Sequence, residues 1–287
     1  MTDSAPRPAL PAAPRGGSSG PAQPDPLTTP PERVVLVTGG AQRIGRAIAL
    51  ELAAAGWQVA VHYRSSQAAA AQTVAAIRST GDRAVALAAD LADEAACRAL
   101  LPAVIEAFGR VDAVVNNASL FEHDDAASFT HTAMERHWRA NTAPAILLAQ
   151  ALHALGEPGG AVVNLLDQKL WNLNPDHLSY TLSKAALHAA TTMLAMALAP
   201  RVRVCGVAPG VSNASPEMNA AEFEAAHRMA PLGRSSTPED VARAVRFLLE
   251  SPAVTGTTLL VDGGQHLLAM PRDVVFMARA ALKEPST

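Results

Sequence analysis

The sequence predicts an α/β protein: a doubly wound, seven-stranded parallel sheet in a single domain. Two observations predict it. From Val34 onward, short apolar, β-branched runs alternate with alanine-rich stretches of helical spacing, which is the pattern of stacked βαβ units. The first run, Val-Val-Leu-Val at 34–37, is continuously apolar, as a parallel strand buried on both faces is, and it opens directly into a Gly-Gly turn and a helical stretch. With 287 residues, 49% of them hydrophobic and 17% charged, the chain is long enough for one large core.

Strands are expected at Val34–Thr38, Gln58–His62, Ala84–Ala88, Ala113–Asn116, Ala161–Leu166, Arg203–Val207 and Thr258–Val261. Helices are expected between them, near 44–55, 67–79, 93–108, 133–154, 178–199 and 239–250. In the first helix Ile44, Ile48 and Leu52 recur at the spacing of a buried stripe. Residues 1–31 hold nine of the 21 prolines and a Gly-Gly-Ser-Ser-Gly patch at 16–20, so they are expected to form a disordered tail ahead of a domain spanning 32–266. Residues 267–287 form a C-terminal extension to which the sequence assigns no role.

Composition removes several functions. The net charge is −3, with 23 basic and 26 acidic residues scattered along the chain, so no electrostatic footprint for nucleic acid is present. Cys97 and Cys205 fit neither a disulfide framework nor a zinc-ligand spacing. The nine histidines form no metal motif, and Glu122-His123-Asp124-Asp125 is expected to be a solvated loop. No metal is expected. With no apolar run of 18 residues and no secretory pattern, a soluble, cytoplasmic protein without a membrane partner is expected.

The stretch Thr38-Gly39-Gly40-Ala41-Gln42-Arg43-Ile44-Gly45 lies between the first strand and the first helix. Glycines there let the backbone turn tightly and let a pyrophosphate reach the N–H groups at the helix start, where the macrodipole favours an anion. Gly39, Arg43, Ile44 and Gly45 are therefore expected to bind a dinucleotide. The second strand ends in His62-Tyr63-Arg64-Ser65-Ser66. A carboxylate there would bind a ribose 2′-hydroxyl and repel a 2′-phosphate, but no acid occurs before Asp82. Tyr63, Arg64, Ser65 and Ser66 instead suit a phosphate, so NADP(H) is expected over NAD(H).

Tyr180 and Lys184 share one face of the helix after the fifth strand. An ammonium beside a phenol favours the phenolate, which would make Tyr180 a usable acid–base group. Asp167 precedes Tyr180 by thirteen residues. An ionised carboxylate there would repel the charge that grows on a ketone oxygen, so it is better matched to a protonated ring nitrogen.

The run TGxxxRxG at 38–45, Asn116-Asn117-Ala118-Ser119, Asn141, Asp167 and the Tyr180/Lys184 pair together resemble the short-chain dehydrogenase/reductase family over roughly residues 33–266. Three departures from the common pattern resemble its pteridine reductase and dihydromonapterin reductase branch. Arg43 stands where the middle glycine usually sits, Ser119 replaces a glycine, and Asp167 replaces a serine.

The resemblance implies a Rossmann-type fold and further roles. Asp90 and Leu91 would meet the adenine, although a helix N-cap competes for Asp90. Asn117, Ala118 and Ser119 would line the cofactor, with Pro209, Gly210 and Ser212 beside the nicotinamide. Arg43 would bridge cofactor phosphate and substrate, Ser119 would also meet the substrate, and Phe121 would stack on a pterin. Tyr180 would donate the proton, tuned by Lys184 and Asp167, and Asn141 would hold a water chain behind Lys184. A substrate lid is implied at about 213–230, including Pro216, Met218 and Phe223. Trp171 and Leu173 would line the pocket or an oligomer contact.

A homodimer or homotetramer built through the helices near 133–154 and 178–199 is also implied. The expected function is NADPH-dependent reduction of a C=N bond in a pterin-like small molecule. The alternatives are another carbonyl or imine substrate, or an NADP(H)-binding protein without catalysis.

Overall fold

The computed structural model describes residues 32–156, 159–215 and 218–283. The expected disordered tail of 1–31, and Pro216 of the lid, lie outside the described residues.

Seven strands form one parallel sheet: β1 (Arg33–Val37), β2 (Trp57–Tyr63), β3 (Ala84–Ala88), β4 (Ala113–Asn116), β5 (Gly160–Leu165), β6 (Val202–Pro209) and β7 (Thr258–Val261). Their order is β3-β2-β1-β4-β5-β6-β7, so the direction of winding reverses between β1 and β4. A crevice for a ligand opens at the carboxyl ends of the strands at that switch. Alternate side chains of the strands feed two core layers. Val35, Val37, Val59 and Val61 pack under Ile48 and Leu52 of α1 (Arg43–Ala54), Val74 and Ile77 of α2 (Gln67–Arg78), and Val245 and Leu248 of α8 (Pro238–Glu250). Val34, Leu36 and Val114 face Leu101 and Val104 of α3 (Glu94–Phe108) and Leu148 of α5 (Ala143–Ala154), and Ala195 of α6 (Leu178–Leu198) joins the same layer. Cys97 and Cys205 are buried thiols within these layers, and burial pushes Cys97 up to about 11.

One expectation about local structure is corrected, and two segments without an expected element hold helices. The single helix expected over 133–154 is broken into α4 (His131–His137), a π turn at Trp138–Thr142 and α5. Pro144 has no N–H to return to Ala140 four residues earlier, and the wider turn accommodates that loss. The segment expected as an unpatterned lid contains a helix, α7 (Ala220–Arg228), started by a capping box between Asn219 and Glu222. The extension carries α9 (Val274–Lys283), whose Val274 and Ala278 pack against Ala226 of α7. Among the described residues no helix is long and apolar enough to cross a membrane, and no cluster of His, Cys, Asp and Glu could hold a metal.

Candidate active site

A cavity of about 670 Å³ lies along the carboxyl ends of β1, β2, β4 and β5. Its floor is the Gly-rich turn. Gly39 adopts φ +61°, which favours glycine. A Cβ on Gly45 would sit 2.1 Å from the Gly39 carbonyl oxygen and 2.5 Å from Asn117 Nδ2, so that position accepts no side chain. Asn117 holds the turn from the end of β4, donating from Nδ2 to the Thr38 and Gly39 carbonyls at 2.9 and 3.1 Å. Thr38 Oγ1 accepts the Asn117 and Ala118 N–H groups in return. On the opposite side, His62 Nδ1 accepts the Gly39 N–H at 3.1 Å while its Nε2 lies 3.1 Å from the Ala89 carbonyl. Burial lowers the pKa of His62, and the neutral ring with hydrogen on Nε2 satisfies both contacts. His62 thereby ties the turn to β3, a role that spacing could not reveal.

Tyr63, Arg64, Ser65, Ser66, Asp90 and Leu91 line the same cavity beyond β2. Asp90 does not cap α3; that is done by Asp93, whose carboxylate accepts the Ala96 N–H, while Asp90 Oδ1 accepts the Ala92 N–H in the preceding turn. Arg43, at the positive φ of +53°, reaches across the cleft and donates to the Ala214 carbonyl at 2.6 Å. Gln42 leads into α1 without a side-chain cap, which leaves the N–H groups of the first turn available to an anion.

Beyond the turn, Tyr180 of α6 donates its hydroxyl to Asp167 Oδ2 at 2.8 Å, and Asp167 Oδ1 accepts the Lys169 N–H at 2.8 Å. Lys184 Nζ donates to the Leu165 carbonyl at 2.7 Å, behind the tyrosine and out of the cavity lining. Burial pushes the Asp167 carboxyl above its ordinary range. Burial and the neighbouring Asp167 push Tyr180 well above 10, and burial brings Lys184 down to about 8 against the pull of Asp167. The expected effect of the Lys184 ammonium on Tyr180 is therefore reversed here: burial and Asp167 dominate, and the phenol keeps its proton.

Asn141, in the π turn, does not touch Lys184. Its amide brackets Leu120, accepting the N–H at 2.6 Å and donating to the carbonyl at 3.0 Å, and it also donates to Ser183 Oγ at 2.9 Å. It thus fixes the loop after β4 that carries Ser119 and Phe121.

Phe121 is 38% exposed, stacks on His177 at 4.3 Å, and meets Tyr180 edge-on at 4.8 Å. His177 holds a left-handed φ of +54° at the start of α6. Asp124 accepts the Ser179 N–H at 2.9 Å and the Ser179 hydroxyl, so the loop expected to be solvated buries one carboxylate as an anchor for α6. Gly210 and Ser212 line the cavity and Pro209 does not. Trp171 and Leu173 are also absent from the lining; Trp171 packs on His188 instead.

The family described as Enoyl-(Acyl carrier protein) reductase matches residues 39–266. An uncharacterized oxidoreductase of Methylorubrum extorquens is 36% identical over 81% of this chain and 97% of its own length. This chain belongs to the short-chain dehydrogenase/reductase family. A 3-oxoacyl-[acyl-carrier-protein] reductase of Synechocystis is 34% identical over 83% of this chain and 98% of its own. Among solved structures, FolM alternative dihydrofolate reductase 1 from Brucella canis, complexed with NADP, is 39% identical with a TM-score of 0.77, covering 82% of this chain and 95% of that one.

The residues of this short-chain reductase fit a phosphorylated dinucleotide. The α1 N-terminus lacks a cap of its own, the bare Gly45 lets the start of the helix pack directly on the turn, and Arg64 with two hydroxyls stands where an acid would exclude a 2′-phosphate. Sequence reasoning missed Lys169, Asp273, Val274 and Val275, which line the far end of the cavity. Lys169 carries a signal only as a lysine two residues from Asp167, and the last three lie outside every motif.

Proposed function

We propose that this protein is an NADPH-dependent reductase of a C=N bond in a pterin-like substrate. The observation that carries the reading is the Tyr180 hydroxyl donating at 2.8 Å to a buried carboxylate, Asp167, where a neutral hydroxyl would serve a ketone. The Brucella canis relative, a FolM dihydrofolate reductase complexed with NADP, supports the same reading. When bound, NADPH supplies the hydride. Gly39, Gly45 and the first turn of α1 would receive its pyrophosphate, and Arg64, Ser65 and Ser66 its 2′-phosphate. Phe121, backed by His177, offers an aromatic face to a flat ring. Tyr180, kept protonated by burial and by Asp167, delivers its proton to the ring nitrogen. Asp167, the carboxylate that accepts the Tyr180 hydroxyl and whose affinity for a proton is raised, then takes a proton from solvent and passes it to the phenolate.

The test is loss of NADPH absorbance on adding dihydrobiopterin, dihydromonapterin or dihydrofolate to purified protein. Turnover is expected with NADPH in preference to NADH, and Tyr180→Phe is expected to lose about 100- to 10,000-fold. Turnover of 3-oxoacyl substrates with none of the three pterins would overturn the substrate assignment. Full activity in Tyr180→Phe would overturn the proton route.

A further inference from the structure

The C-terminal segment lies outside the Enoyl-(Acyl carrier protein) reductase match at 39–266, yet it reaches the reacting pair through buried charge. Lys169 has a side chain only 5% exposed, and its ammonium donates to the Asp176 carbonyl at 2.6 Å and to Asp273 Oδ2 at 3.0 Å. Asp273 Oδ1 accepts the Val275 N–H at 3.1 Å, and its own N–H donates to Asp176 Oδ2 at 2.7 Å. Arg272 grips Asp176 at 2.9 and 2.8 Å. Burial opposes ionisation of Asp176, but the Arg272 guanidinium and the Asp273 N–H hold its carboxyl below the usual range. The C-terminal segment thus holds Asp176 and the Lys169 ammonium, while the backbone N–H of the same lysine donates to Asp167, which accepts the Tyr180 hydroxyl.

Lone charges are expensive to bury, and an ammonium this enclosed calls for a partner of opposite sign. Asp273, brought from 104 residues away, supplies it. The groups that act on Asp167 are Tyr180 and Lys184 from α6, Lys169 from its own turn, and Asp273 from the C-terminal segment, with His177 and the Asp176/Arg272 pair in the same cluster.

We propose that the C-terminal segment is a working part of the active site: Asp273 holds the Lys169 ammonium, and Lys169 is a positioning residue that keeps the Asp167 carboxylate charged and aimed at Tyr180. The proposal deepens the proposed function and rests on its assignment of Asp167 and Tyr180 as the reacting pair. Removing the cation removes support for the carboxylate, so Lys169→Met raises the pH at which Asp167 titrates. Removing the Asp273 charge lifts a repulsion from Asp167, so Asp273→Asn lowers it.

The chain has only two tyrosines, Tyr63 and Tyr180, so labelling tyrosine with carbon-13 at Cζ gives two resonances in the full-length protein. Tyr63→Phe assigns them, and Asp167→Asn identifies which titration belongs to Asp167. The Tyr180 resonance is followed from about pH 4 to pH 9 without substrate, alongside thermal melting to establish folding. Lys169→Met is expected to raise the midpoint by about one pH unit or more, Asp273→Asn to lower it, and Lys169→Arg to leave it within about 0.3 of wild type. Midpoints that stay put, or that move together in Lys169→Met and Asp273→Asn, would overturn the proposal. If Lys169→Met does not fold, the opposed behaviour of Asp273→Asn and Lys169→Arg decides it. Because no turnover is read, opposed midpoints alongside inert pterins would overturn the substrate assignment alone.

Discussion

On the dinucleotide side of the cleft, Thr38, Gly39, Gly45 and Asn117 hold one another through close packing and uncharged side chain–backbone hydrogen bonds at the ends of adjacent strands. On the substrate side, Asp167, Lys169, Asp176 and Asp273 converge from segments up to 106 residues apart and hold one another through charge. The first side is made by excluded volume: it tolerates a change of charge and fails when an atom is added. The second is made by balanced charge in a buried setting: it tolerates a change of shape and fails when one partner loses its sign.

That contrast is broken most severely at Gly45. Gly45→Ala forces a methyl against the Gly39 carbonyl and the Asn117 amide. Overpacking of about 1–3 kcal/mol corresponds to about five- to 150-fold weaker NADPH binding by fluorescence titration. NADPH affinity equal to wild type would mean that the turn is held by something other than steric exclusion.

The next effect is one of charge. Lys184 is lowered to about 8 by burial, so its ammonium is present below that pH and lost above it. The kcat/KM for NADPH, which reports the free enzyme, is expected to fall about fivefold between pH 8 and pH 9, and Lys184→Arg to move that limb to higher pH. A profile flat to pH 10 would place Lys184 outside the machinery.

The smallest effect concerns the helix pair beside the cleft, where Arg279 of α9 meets Glu222 of α7 at 2.9 Å. Arg279→Met loosens α7 from α9 and is expected to raise the substrate KM about two- to fivefold, the small effect of a partly exposed pair, with kcat within about twofold. A larger fall in kcat than in affinity would mean that α7 acts on the chemistry and not on closure.

Much of the dinucleotide side was legible because it is local. The glycines, the strand before them and the helix after them lie within about a dozen residues, and a tight turn leaves few residue types that fit. The Tyr180/Lys184 pair was legible for the same reason, one helical turn apart. Asp167 stood out because a carboxylate there is chemically odd for a carbonyl reductase. Asn141 was marked as a site residue, but its task of bracketing Leu120 from a π turn was not, because Pro144 breaks a helix that periodicity alone reads as continuous. Asp124 was misread for a related reason: an acidic run scores as solvated until the Ser179 N–H and hydroxyl are found to need an acceptor.

By itself, the sequence determined the parallel sheet, the phosphate turn, the absence of an acid after the second strand and the tyrosine–lysine pair. Each depends on residue type and short spacing. The tertiary structure alone decided that Lys169 faces Asp273, that α9 backs α7, and that burial with Asp167 outweighs Lys184 in setting the acidity of Tyr180. Those outcomes depend on distance and solvent exclusion between segments far apart in the chain, and electrostatic energies follow separation and burial, which no linear pattern records.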